Sequence, residues 1–175
     1  TFTRNGVNYK REYFTSFDDD VSVIRLTADK PGQLNCRIAM NRPERYRVET
    51  VGNELQMSGQ LNNGTDGKGM RYLARVQAKL KDGTIHPENN SLVIEDATEV
   101  LIYISAGTDF KGFAFEEKTA QFLAKATKKS YDLQKERHIA AFSRLFKRVY
   151  LDLGESPAAD WPTNRRLTNF YSNFD

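Results

Sequence analysis

The sequence predicts a mainly β fold with C-terminal helices, in which an antiparallel β-sandwich is followed by linker helices. Three observations predict this class. Apolar and polar residues alternate over roughly the first hundred positions, turn residues separate the alternating stretches, and the period becomes helical after Asp109. No helical period lies between the strands, which disfavours a parallel sheet built from βαβ units. Residues 1–112 are therefore expected to form the sandwich.

The clearest predicted strand covers residues 70–80. Every second residue from Met70 to Leu80 is aliphatic or aromatic, and most residues between them are polar, which predicts one buried and one wetter face. Similar alternation predicts strands over 7–13 and 34–40. Asn5-Gly6 before the first of these is a two-residue hairpin signal, because both positions tolerate positive φ. Further strands are predicted near residues 21–27, 46–51, 54–58, 91–95 and 100–105.

Two helices are predicted between about residues 114 and 149. Each has an apolar stripe at helical spacing. The stripes comprise Phe115, Thr119, Phe122, Leu123 and Ala126 in the first helix, and Ile139, Phe142, Leu145, Phe146 and Val149 in the second. Ser130 is the predicted N-cap of the second helix. Residues 113–154 are thus expected to form a helical linker ending in a short strand over 149–153. Residues 155–175 are expected to hold a linker and the start of a third helix after Pro162.

Composition and charge exclude several classes of protein. Hydrophobic residues make up 39% of the chain and charged residues 28%, as in folded globular domains. The net charge of +3 comes without a basic stripe or recognition motif, so nucleic acid is not an expected partner. Cys36 is the only cysteine, which excludes an internal disulfide and a cysteine-built zinc site. No apolar run approaches the roughly 20 residues of a membrane span, and no signal peptide is visible. No cofactor and no metal are expected.

The acidic residues that could support glycoside hydrolysis lie mostly at turns and element ends. Such hydrolysis normally needs two carboxyl groups held across one scissile bond. Asp109, at the junction of strand and helix, is expected to hold a backbone amide rather than to catalyse. The other candidates are Asp18, Asp19, Asp20, Glu95, Asp96, Glu116 and Glu117. Because acids in turns usually cap or solvate the backbone, no catalytic residue is assigned.

The two histidines and the glycine-rich segment give no catalytic signature. His86 is expected in a turn before Pro87, and His138 in the second helix, and neither has a partner at the spacing of a triad or metal site. Residues 64–69 contain a Gly-Lys pair, but neither Ser nor Thr follows Lys68 and a strand comes next. This segment is therefore expected to be a hairpin loop and not a phosphate-binding loop.

Four tyrosines on predicted strands leave one alternative open. Tyrosine rings can stack on sugars, as in carbohydrate-binding modules, or pack inside a sandwich core. Core packing is the favoured reading, and the residues that would bind a ligand stay unassigned. The four are Tyr9, Tyr13, Tyr72 and Tyr103.

Eight segments together resemble the N-terminal domain and linker of family 95 glycoside hydrolases, the inverting α-L-fucosidases. In chain order they are VNYKREYF (7–14), VIRLTADKPG (23–32), GMRY (69–72), AGTDF (106–110), RHI (137–139), LFKRV (145–149), LDLG (151–154) and PTNRRL (162–167). The last segment resembles the entry to the catalytic barrel. Order and spacing make the set more specific than any single segment.

The resemblance implies a non-catalytic fragment of an inverting α-L-fucosidase acting on fucosylated glycans. It implies an incomplete supersandwich-like β-domain, whose partners are the parent's catalytic (α/α)₆ barrel and C-terminal β-domain, and a periplasmic or secreted location. The catalytic residues of the family belong to the barrel, so none is carried over to this chain. Exposed sheet edges are expected to allow a homodimer. A carbohydrate-binding sandwich without hydrolase activity and an independent interaction protein remain as alternatives.

Overall fold

A computed structural model describes residues 1–112, 114–152, 154 and 156–173. The chain divides into two compact units, Thr1–Ser143 and Arg144–Asp175. The first unit holds the strands, the first helix and most of the second.

The described residues form ten strands, all paired antiparallel. They are β1 (Phe2–Arg4), β2 (Val7–Ser16), β3 (Val21–Ala28), β4 (Leu34–Ile38), β5 (Arg47–Val51), β6 (Glu54–Gln60), β7 (Arg71–Lys81), β8 (Thr84–Glu88), β9 (Ser91–Ala97) and β10 (Glu99–Thr108). A seven-stranded sheet has the order β1-β2-β3-β10-β7-β6-β5, and a three-stranded sheet has the order β4-β9-β8. This confirms the predicted fold class.

The two faces of the large sheet are covered by different layers. On one face Val100 and Ile102 of β10 pack with Leu92 and Ile94 of the small sheet. On the other face, Tyr103 of β10 and strand β3 pack against the helices. Because β10 buries both of its faces, it is the central strand of the first unit.

The predicted wetter face of the strand at 70–80 is covered as well. Leu73 on that face is as buried as a core residue. The polar residues beside it bond to the helical layer: Arg75 donates from Nε to the Thr119 hydroxyl (3.2 Å), and Lys79 donates to the Thr127 carbonyl. The alternation of apolar and polar residues therefore distinguished the two faces of β7. It could not show that a helix covers the polar face, because no residue within the strand indicates that helix.

The described helices agree with the predicted positions. They are α1 (Phe115–Ala126), α2 (Tyr131–Phe146) and α3 (Thr163–Asn173), with a single 3-10 turn over Asp109–Lys111. The Ser130 hydroxyl accepts the Leu133 N–H at 3.4 Å, which confirms the predicted N-cap. None of the helices in the described part of the chain is long and apolar enough to cross a membrane.

The apolar stripe of the first helix is buried, whereas that of the second is not. Leu123 and Ala126 pack against the large sheet. In α2 the buried residues are Tyr131 and Gln134, and the predicted stripe from Ile139 onward is exposed. The apolar residues lie on one side of α2, as predicted, but contact with the sheet is made by the first turns of the helix, so that Ile139 and Phe142 remain about half exposed.

Two local expectations were wrong, and strand β1 had no prediction of its own. His86 and Pro87 lie within strand β8, not in a turn, and β8 is an edge strand, where a proline removes no needed donor. The three-residue strand β1 was too short to show alternation. The short strand predicted over 149–153 is absent from residues 149–152, since no neighbouring strand pairs with them, and Leu153 lies outside the described residues.

The hairpin signal at Asn5-Gly6 is confirmed. These residues join β1 to β2 with φ of 52° and 69°, the left-handed pair of a type I′ turn. The register follows directly, because Arg4 then faces Val7 and Phe2 faces Tyr9. The turn therefore places Phe2 on the same face of the sheet as Tyr9.

The second unit is small. Within it α3 begins directly after Pro162, which fits the preference of proline for a helix start. The Arg165 guanidinium lies 4.0 Å from the centre of the Trp161 ring, so a cation–π contact holds the first turn of this helix to the residues before it.

Candidate functional site

Asp109 binds the neighbouring strand. Its carboxylate accepts the Arg71 N–H at 3.0 Å through Oδ1 and the Arg71 Nε–H at 3.1 Å through Oδ2. The Thr108 side chain caps the 3-10 turn that carries Asp109. The expectation that Asp109 holds a backbone amide is confirmed, and both of its carboxylate oxygens are engaged in fixing the end of the sheet.

Glu54 is held in the same way on the helical side of the sheet. Its Oε1 accepts from Arg75 Nη1 and from Gln56 Nε2, both at 2.6 Å. Arg75 also bonds to Thr119 and to the carbonyl of Glu116 on α1. This acid therefore fixes the arginine that fastens α1 to the sheet.

Two further acids form ion pairs, one between the large sheet and α2 and one between two strands of the large sheet. Glu12 on β2 lies 2.6 Å from Lys135 of α2, and Glu99 on β10 lies 2.7 Å from Arg25 of β3. The hydrogen bond from Lys135 lowers the pKa of Glu12 below its ordinary value, although burial opposes it. A general acid near neutral pH needs a raised pKa, so Glu12 has the opposite of that property.

Asp19 is the most deeply buried acid among the described residues, with 1% of its side chain exposed. It accepts a hydrogen bond from Lys129 at 2.5 Å and another from the Ser16 hydroxyl at 3.2 Å. These bonds connect the turn between β2 and β3 to the segment between α1 and α2. Its burial and its two hydrogen bonds indicate that Asp19 holds the helical layer to the sheet.

The remaining sequence candidates lie apart from one another. Glu95 and Asp96 are exposed at the end of β9, and Glu116 and Glu117 lie in the first turn of α1. The segment at 64–69 is an exposed loop between β6 and β7, as expected for a hairpin loop.

His138 packs among aromatic rings. Its ring centre lies 5.1 Å from that of Phe14 and 5.9 Å from that of Phe17. Its Nδ1 is buried and has no hydrogen-bond partner. No acidic or nucleophilic side chain is in position to form a triad with it among the described residues, and these also contain no group of three potential metal ligands.

The four strand tyrosines divide between core and surface. Tyr103 is fully buried in the core, as predicted. Tyr72 donates to the Arg45 carbonyl at 2.9 Å beneath the Arg42 guanidinium. Tyr13, by contrast, is 62% exposed, so core packing does not account for it.

Tyr9 lines a cleft that lies over β1, β2 and β3 on the face away from the helices. The cleft measures about 350 Å³, and its wall is formed by the start of β4, residues 33–36. Its floor includes the stacked rings of Phe2 and Tyr9, 4.9 Å apart, with the Arg11 guanidinium 4.9 Å from the Phe2 ring centre. Sequence reasoning missed Phe2, Arg4 and Arg11. The alternation along β2 places Arg11 on the same face of the sheet as Tyr9. The wall of the cleft, however, comes from β4, more than 20 positions further along the chain, and no local signal in the sequence indicates that β4 lies there.

Residues 1–113 match the sequence model of the glycosyl hydrolase family 65 N-terminal domain. The chain belongs to this family. This match confirms the prediction that the chain contains the N-terminal domain of a glycoside hydrolase. The partly buried carboxylates described above hold elements of this domain together.

Similar proteins include larger carbohydrate-active enzymes. Alpha-L-fucosidase 2 of Arabidopsis thaliana is 23% identical over 186 residues, which covers 89% of this chain and 22% of that protein. A solved structure described as a putative kojibiose phosphorylase from human microbiome matches 84% of this chain and 21% of its own, with 11% identity and a TM-score of 0.48. The chain thus spans about a fifth of the length of each of these relatives.

Proposed function

We propose that this chain is a non-catalytic domain of an inverting α-L-fucosidase that acts on fucosylated glycans. The observation that supports it most is the engagement of the acids: Glu54, Asp109 and Asp19 each bind a basic side chain from another element or loop. Carboxylates fixed in this way hold elements of the fold together, whereas glycoside hydrolysis requires two carboxyl groups that face each other across the scissile bond. The choice of fucose is supported by the similarity to alpha-L-fucosidase 2.

The proposal includes a surface for the catalytic barrel. Phe17, Ile139 and Phe142 of the first unit expose apolar side chains near one another, with Ile139 51% and Phe142 44% exposed. Apolar side chains grouped at a surface are typical of contacts between domains or proteins. In the parent protein, which we place in the periplasm or outside the cell, this surface packs against the barrel.

A fucosidase assay tests the proposal. The purified chain is expected to release no fucose from an aryl α-L-fucoside or from 2′-fucosyl oligosaccharides, while the full-length parent does so under the same conditions. In the parent, Asp109→Asn and Glu54→Gln are expected to lower the melting temperature but to leave kcat within about threefold, because both acids act on the fold. Turnover by the chain alone that Asp109→Asn abolishes would place an active site in this domain and defeat the proposal.

The sheet edges and the cleft beside β4 each support a further hypothesis that can be tested. Strands β1 and β5 end the large sheet, and β4 and β8 end the small one, so a homodimer through sheet edges stays a prediction for sedimentation analysis. The cleft beside β4 favours the alternative of a carbohydrate-binding sandwich, and titration with fucosylated oligosaccharides separates that alternative from a pure scaffold.

A further inference from the structure

The cleft between β4 and the sheet formed by β1, β2 and β3 is basic and carries no acid. Asp and Glu are absent from its lining residues. Arg4 and Arg11 share its floor, and within the described part of the chain no carboxylate lies within ion-pair distance of either one. Elsewhere in the same unit, Arg25, Arg71 and Arg75 all have acidic partners. Two guanidinium groups in a concave site without a counter-charge attract an anion.

The other groups in the cleft suit a sugar ring. Phe2 and Tyr9, which line the cleft, offer apolar ring surface. Asn35 uses its Oδ1 to accept the Asp96 N–H, which leaves its amide N–H groups for a ligand. A volume of about 350 Å³ lies at the lower end of the range for ligand sites. That size fits one or two sugar rings.

We infer that this cleft binds a saccharide that carries a carboxylate, with Arg11 and Arg4 on the carboxylate and the aromatic rings beneath the sugar. A guanidinium matches a planar carboxylate with two parallel hydrogen bonds, which distinguishes a uronic acid from a neutral sugar of the same shape. The choice of a saccharide rests on the proposed role in a carbohydrate-active enzyme, whereas the negative charge rests on the cleft itself.

Cys36 provides a built-in reporter for occupancy. It lines the cleft and is the only cysteine in the sequence. Burial raises the pKa of its thiol, and the nearby Arg11 charge opposes that rise. The free thiol is therefore expected to react slowly, and a ligand in the cleft is expected to slow it further by blocking access.

The experiment measures the alkylation rate of Cys36 in the whole chain with and without saccharide. Digalacturonate is expected to slow alkylation at least about threefold, and a neutral galactose disaccharide is expected to have no effect. Arg11→Gln and Arg4→Gln, each compared with its own unliganded rate, are expected to lose the protection. Arg47→Gln on β5, at the opposite end of the large sheet, is the matched control and keeps it. Circular dichroism verifies that each variant is folded.

Several outcomes would overturn the inference. Equal protection by the neutral disaccharide would remove the role of the charge, and equal protection by inorganic sulfate would remove the role of the sugar ring. Protection that grows with protein concentration in the absence of sugar would show that a second copy fills the cleft. If no probe slows the alkylation of Cys36, the cleft does not bind the proposed class of saccharide. The fucosidase assay is read independently, so the failure of one proposal is distinguishable from the failure of the other.

Discussion

The carboxylate of Asp19 is enclosed by Ser16, Lys129 and the protein interior. The Asp19→Asn substitution keeps the shape of the side chain but removes the negative charge that pairs with the Lys129 ammonium group. We expect a loss of about 1–3 kcal/mol in the free energy of unfolding, measured by urea denaturation at neutral pH, because a hydrogen bond to a charged group is lost in a buried site. Asp18→Asn, at the exposed neighbouring position, is the control and is expected to have little effect. Equal stability of the two variants would contradict the assigned role of Asp19.

The pair between Glu12 and Lys135 makes stability depend on pH in the acid range. The pKa of Glu12 is lowered in the folded chain, chiefly by the hydrogen bond from Lys135. A depressed folded pKa stabilises the fold above the unfolded value, near 4.5, and this contribution is lost as the pH falls through the folded value.

Glu12→Gln should therefore be less stable than the unmodified chain above about pH 5, and the difference should shrink on acidification. Urea denaturation at a series of pH values between neutrality and the acid limit of folding measures this. Glu95→Gln, which removes an exposed acid, is expected to follow the unmodified chain throughout. A difference that stays constant with pH would show that the pair does not contribute through its charge.

At the scale of single elements, Gly59 on β6 allows a close approach of two backbones. A Cβ at this position would lie 2.1 Å from the Arg45 carbonyl oxygen and 2.4 Å from the Tyr72 hydroxyl. Gly59→Ala is therefore expected to push the segment at Arg45 away from the sheet and to cost about 1–3 kcal/mol in the free energy of unfolding. Thermal denaturation next to Ser58→Ala, which adds no atom on the same strand, checks this. A Gly59→Ala chain as stable as the control would mean that the segment moves freely.

Leu123 is one of the α1 residues buried against the sheet, with 2% of its surface exposed. Leu123→Ala should leave a cavity between the helix and Val21, Val23 and Tyr103 and cost about 2–5 kcal/mol. Gln121→Ala, on the exposed side of the same helix, should change stability by less than about 0.5 kcal/mol. Chemical denaturation measures both, and similar losses would indicate that the helix is held by its polar bonds instead.

The elements themselves could be predicted because their signals are local. The alternation over residues 70–80, the Asn5-Gly6 turn and the Ser130 cap each depend on a few neighbouring residues. The contacts between elements have no such signal: Glu12 and Lys135 are separated by 123 positions, and nothing near either residue indicates the other. The cleft was missed for the same reason, since β4 forms its wall only after the small sheet has folded over the large one.

At the scale of the whole chain, the buried residues are confined to the first unit. Within the described residues they begin at Val7 and end at Gln134. A chain shortened to residues 1–143 is therefore expected to keep a single cooperative unfolding transition and a melting temperature within a few degrees of the full chain, because little core is lost. Unfolding of the shortened chain would show that residues 144–175 contribute to the core.

The position of β10 at the centre of the large sheet has a consequence for synthesis on the ribosome. Its partners β3 and β7 are made first, and Glu99 pairs with Thr27, so the sheet stays open until the last strand leaves the exit tunnel. Nascent chains stalled before β10 emerges should expose two unpaired edges and be cleaved rapidly by protease, whereas chains with residues 1–143 outside the tunnel should resist cleavage. The time between the emergence of β7 and that of β10 would then set how long the half-made sheet stays exposed.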